Sequence, residues 1–203
     1  MNVVLPESAL PAKLILNPEL PMSDDEYYDF CVTNPNIWFE RTAQGEIIIV
    51  APVGLESDNR NADIVAQLIA WAKRDRRGKA FGPTGEFILP SGAAYAPDAA
   101  WVSNERLATL SKAELRKFVK LVPEFVVEIL SPSDRLPAAK RKMAEWMANG
   151  VALGWLIDAD KQTVYIYRAR KESPENIERA ERLAGEGPVE GFILELNDVW
   201  EGL

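Results

Sequence analysis

The chain has 203 residues, 47% hydrophobic and 27% charged, which suits one globular domain with a full core. It contains no histidine and a single cysteine, Cys31, which excludes Ser-His-Asp, Cys-His and HNH-type chemistry, zinc held by histidine or thiolates, and any intrachain disulfide. The net charge of −8, from 31 acidic and 23 basic side chains, argues against broad backbone-driven affinity for nucleic acid, though not against a local basic groove.

Residues 1–22 hold four prolines and no period, so an extended N-terminal arm is expected there, with 23–203 as a single domain. No apolar run approaches the ~20 residues of a membrane span. The first residues lack a basic segment followed by an apolar one, so the expectation is a cytoplasmic protein with no membrane partner. Ser23 with Glu26 predicts a capping box opening a helix to about Thr33. "IWFERTAQGEIIIVAP" reads as a hairpin around a glycine-containing turn. The clearest helix covers 57–76, with Ile64, Val65, Leu68, Ile69 and Ala72 on one face and Gly78 as its stop. Strands follow at 79–89 and 97–102, then helical turns over 104–118 and a strand at 123–130. Asp134 is the expected cap of a helix ending at Asn149–Gly150, and "LGWLID" with "QTVYIYRA" forms a second hairpin. A polar loop or edge over 171–191 and a last strand, "FILEL", complete a mixed α/β domain, a sheet flanked by helices.

Two acids break this apolar pattern: Asp98 in "APDAAWV" and Glu128 in "FVVEIL". A buried, ionised carboxylate without a partner neutralises or recruits a counter-charge. Strands in a sheet lie ~4.8 Å apart, so carboxylates at the ends of neighbouring strands can share a divalent cation. With neither histidine nor thiolate pairs on offer, any metal must be held by oxygen, which favours Mg²⁺, Mn²⁺ or Ca²⁺.

Two such acids, the second on a strand running into a helix, resemble the PD-(D/E)XK nucleases. Pro97-Asp98 supplies the first element and Glu128-Ile129-Leu130 the second, but leucine stands at 130 where that pattern has lysine. "ERTAQGEIIIVAP", "GEFILPSGAAYAPDAAWVSNERL" and "PEFVVEILSPSDRLPAAKRKMAEWMANGVALGWLID" together resemble the Uma-two family of restriction-endonuclease-like proteins over residues 23–200. The resemblance implies that the lysine has migrated to the following helix, as Lys142 in the run Lys142-Met143…Trp146. It also implies a restriction-endonuclease-like fold and a Mg²⁺- or Mn²⁺-dependent endonuclease. DNA would be the partner, and homodimerisation stays open.

On a helical wheel of 135–149, Leu136, Ala139, Met143, Trp146 and Met147 form an apolar stripe, with Lys142 at one edge, Lys140 at the other and Arg141 pointing away. Geometry does not choose between the two lysines; the family pattern favours Lys142. Asp98 and Glu128 are thus the expected metal ligands, joined by the Ile129 carbonyl, with Lys142 as the third catalytic residue. Glu56 reads either as a helix N-terminal acid or as a ligand through water. Glu40 reads as structural, and Glu86 occupies a place where a small residue is expected. The alternatives are a catalytically silent nucleic-acid- or protein-binding descendant of the fold, and a hydrolase of small phosphate esters.

Overall fold

The structure is a computed structural model and describes the backbone of Ala12–Leu14 together with residues 21–132 and 134–203. Most of the expected arm lies outside the described residues; its described part includes a short strand, β1 (Ala12–Leu14). The capping box is closed: the Glu26 carboxylate accepts from the Ser23 amide at 2.8 Å and the Ser23 hydroxyl accepts the Glu26 amide at 3.3 Å, opening α1 (Asp24–Thr33). The expected hairpin is β2 (Trp38–Arg41) and β3 (Ile47–Val50), paired so that Trp38 faces Val50 and Glu40 faces Ile48.

Helix α2 (Leu55–Asp75) buries Ile64, Leu68, Trp71 and Ala72 at helical spacing. Arg76, in the left-handed conformation at φ 64°, ends it rather than Gly78. Gly78 serves packing instead. It opens β4 (Gly78–Phe81), where a Cβ would stand 2.4 Å from the Trp101 ring and 2.3 Å from the Val102 carbonyl. The single strand expected over 79–89 is two, β4 and β5 (Phe87–Ile88), because the two lie in different sheets.

Next come β6 (Ala94–Tyr95), β7 (Ala99–Ser103), a one-turn helix α3 (Asn104–Leu107), β8 (Val119–Lys120) and β9 (Phe125–Ile129). Helix α4 (Leu136–Ala148) follows, with Arg135 at its N-cap position. Asp134, expected as the cap, accepts from the Ser131 amide and hydroxyl at 2.8 Å instead, closing the loop before the helix. The second hairpin is β10 (Leu153–Asp158) and β11 (Thr163–Arg168). The polar stretch contains β12 (Glu175–Glu178) and β13 (Arg182–Ala184), and the chain closes with β14 (Ile193–Glu195) and α5 (Asn197–Glu201).

The central sheet has the order β12-β11-β10-β9-β7-β4; within it β9 and β10 are parallel, joined through α4, and the other pairings are antiparallel. A second sheet, β1-β3-β2-β6-β5-β8, stands beside it. Strand alternation splits the central core in two. Ala99, Trp101, Phe125, Val127 and Trp155 point to the α2 side, whereas Ala100, Val126 and Leu156 point to the α4 side, beneath Met143 and Trp146. At Gly154 a Cβ would fall 2.5 Å from the Met143 methyl, so this glycine lets α4 lie close on β10. Among the described residues no helix is long and apolar enough to cross a membrane.

Candidate active site

Strands β7 and β9 pair with Ala99 opposite Val127, and one further step along this register sets Asp98 across from Glu128. Glu128 follows Val127 on β9 and therefore turns to the α4 side, where it is 8% exposed. Two residues one helical turn apart on α4 meet it there. The Trp146 indole N–H donates to Glu128 Oε1 at 2.9 Å, and Lys142 Nζ lies 2.9 Å from Oε1 and 3.1 Å from Oε2. The same ammonium donates to Glu40 Oε1 at 2.7 Å. Lys142 thus bridges carboxylates from both sheets, and it keeps 23% of its side chain open to solvent.

Asp98 is fixed differently. Its Oδ2 accepts the Ile129 backbone N–H at 2.7 Å, and its Oδ1 accepts the side-chain amide of Asn61, from α2, at 2.9 Å. The Asn61 oxygen is buried and has no hydrogen-bond partner among the described residues. Burial pushes the Asp98 carboxyl up to about 6, with the Ile129 N–H and Lys142 pulling against it. Burial likewise pushes Glu128 up to about 8; Lys142 lowers it, while the Asp98 and Glu40 charges raise it. For Lys142, burial favours the neutral amine, but the Glu128 and Glu40 carboxylates outweigh it and hold the ammonium protonated above the ordinary lysine range.

Three carboxylates therefore face one ammonium, a surplus of negative charge in a water-poor place. Among the described residues the acids do not form a ready cage of three, because Lys142 stands between Glu40 and Glu128. The donors present are nevertheless all oxygen, the surplus charge suits a divalent cation, and the orphaned Asn61 oxygen is a further neutral acceptor beside Asp98. The residues fit a hard divalent metal.

The structure thus brings Asp98, Glu128 and Lys142 into one cluster. Lys140 goes elsewhere, with its Nζ 4.2 Å from the Tyr165 ring centroid, over β11. Glu56 is held by Arg60 at 2.7 Å, and Arg60 in turn donates to the Val199 carbonyl of α5, so Glu56 serves the C-terminal packing. Glu40, read from the sequence as structural, is a direct partner of Lys142. The only sequence signal for it was its alternation with Phe39. Asn61 gave no signal, and Trp146 stood in the run that named Lys142 without any sign that its N–H would hold Glu128. Glu86 is buried beside this network, accepts the Tyr27 hydroxyl at 2.8 Å, and is pushed by burial up to about 8.

A mixed sheet flanked by helices, with paired acids at the β7–β9 junction, is a restriction-endonuclease-like domain. The crystal structure of "a putative nuclease belonging to DUF820" from Anabaena variabilis superposes with a TM-score of 0.71, covering 89% of this chain and 98% of that one at 22% identity, a likeness of fold. Residues 24–197 match Uma2, described as "Putative restriction endonuclease", and the chain belongs to that family. No curated protein matches it.

Proposed function

We propose that the protein is a metal-dependent endonuclease that hydrolyses DNA phosphodiesters, with Asp98 and Glu128 holding Mg²⁺ or Mn²⁺ and Lys142 acting on the reacting phosphate. The observation that carries this reading is the Lys142 ammonium, 2.9 Å from Glu128 and 2.7 Å from Glu40, at the strand end where Asp98 opposes Glu128. A bound cation would supply Lewis acidity, polarising the phosphate and lowering the pKa of the attacking water. The chain supplies the rest. The Ile129 N–H and Asn61 hold the Asp98 carboxylate, and the Trp146 N–H holds that of Glu128. Glu40 keeps Lys142 charged and aimed, so that the ammonium would meet charge developing on the phosphate.

The test is cleavage of a panel of duplex, nicked, flapped and single-stranded DNA at low, stated salt, with Mg²⁺ or Mn²⁺ and with EDTA. The wild type should cut at least one substrate only with metal present. Asp98→Asn and Glu128→Gln should lose activity while staying folded. Lys142→Ala should keep metal binding but slow cutting by ~10²-fold. Cutting that survives in Asp98→Asn would move the site elsewhere. Binding without any cutting would replace this reading with the silent-binder one.

A further inference from the structure

Strand β2 has two faces with opposite fates. Phe39 and Arg41 point to α1, with the Phe39 ring 4.8 Å from Phe30 and the Arg41 guanidinium 4.7 Å above the Tyr27 ring. Alternation then sends Trp38 and Glu40 together to the other face, the one on which Glu40 meets Lys142. Glu40 is buried there, but Trp38, two residues away, is 49% exposed. Its cross-strand partner Val50 is 37% exposed, and Ile37, Val53 and Leu55 beside them in the chain are exposed as well. Scattered surface apolar residues need no explanation, but an exposed indole beside its cross-strand partner Val50, on the same strand face as the site, is an apolar shelf.

We propose that Trp38 stacks on an unpaired base next to the scissile phosphate, so that the substrate class of this site is a nucleic-acid strand with exposed bases rather than an intact duplex. The inference rests on the nuclease reading above. Along a strand, residues two apart are separated by ~7 Å, so the indole stands one short step from the acid that holds Lys142. The charge balance limits how such a strand can be held. A protein of net charge −8 gains little from phosphate contacts, and base–aromatic stacking is the sequence-tolerant source of affinity that remains. A duplex hides its base faces and gives this shelf nothing to hold.

The experiment compares wild type, Trp38→Ala and Trp38→Phe on two single-stranded oligonucleotides, one with normal bases and one abasic around the cut position. We expect Trp38→Ala to lower kcat/KM on the base-bearing strand about tenfold or more, to leave the abasic strand unchanged, and Trp38→Phe to recover most of the loss. A purely structural role would slow both strands equally and would overturn the proposal, as would no effect on either. Sedimentation that shows a wild-type dimer lost in Trp38→Ala would assign the shelf to self-association and also overturn it. If the wild type cuts nothing, the nuclease reading fails separately, and stacking is read from binding of the same labelled strands in Ca²⁺. Base-dependent weakening in Trp38→Ala then upholds the stacking role; equal binding by wild type and variant ends it.

Discussion

The two faces of the central sheet are made from alternate residues of the same strands, yet they do opposite work. On the α2 side, Val127 lies among Phe125, Trp155, Phe192 and Trp71, an aromatic cluster in which Trp155 stacks on Phe192 at 17° and meets Phe125 edge-on at 4.8 Å. On the α4 side, the very next residue, Glu128, lies among Lys142, Trp146 and the Asp98 and Glu40 carboxylates. The first face contributes stability by burial alone; the second also buries Val126, Met143 and Trp146 but holds repelling charges beside them. The difference teaches that the site is possible because the strain it carries is confined to one side of strands whose other side is dry and closely packed.

Three measurements can break or sharpen this contrast. The largest effect belongs to the dry face: Trp155→Ala, removing a side chain that is 1% exposed, should cost about 3–5 kcal/mol in denaturant unfolding, independent of metal and nearly independent of pH. A loss under 1 kcal/mol would mean the aromatic cluster does not carry the fold.

The second addresses the buried acid beside the site. Burial raises Glu86 from 4.5 to about 8, so between those values the folded protein keeps a proton that the unfolded chain has released. Stability from this group is therefore highest at low pH, falls as pH rises through that window, and is level above it. Glu86→Gln keeps an acceptor for Tyr27 and removes the titration. Its stability relative to wild type should grow from little near pH 4.5 to on the order of 4 kcal/mol at pH 8. A pH-independent difference would show that Glu86 is ionised throughout.

The third and smallest effect concerns the charged face. Mn²⁺ at a hundred times its Kd should stabilise the wild type by about 2.7 kcal/mol at pH 8, a rise of several degrees in Tm. The rise should shrink at pH 6, where protons compete for the raised Glu128 and Asp98 carboxyls, and should vanish in Asp98→Asn. An unchanged Tm at both pH values would remove the metal from the site.

Much of the molecule was legible in the chain because the signals were local. The capping box at Ser23–Glu26, the apolar period of α2, both hairpins and the apolar run around Glu128 depend on residues within a few positions of one another. Elements whose ends are set from outside were misread. The 79–89 stretch divides because β4 pairs with β7 and β5 with β6 and β8. Gly78 is fixed by the Trp101 ring; Asp134 was misread for a local reason, since the Ser131 amide and hydroxyl three residues back compete with the helix for its carboxylate.

By itself the sequence determined that any metal here must be held by oxygen, since it lacks histidine and has one cysteine, and that two acids interrupt apolar strands. Those are matters of composition and period, which need no third dimension. Only the tertiary structure decided which lysine reaches the acids, because Lys140 and Lys142 flank one stripe symmetrically until α4 is laid across β10 with Lys140 over Tyr165. It alone brought Glu40 to Lys142 across 102 residues of chain and Asn61 to Asp98 across 37. Contacts of that span leave no mark on local pattern; they arise when two sheets and a helix are packed, and the surplus charge they gather is a property of the packing.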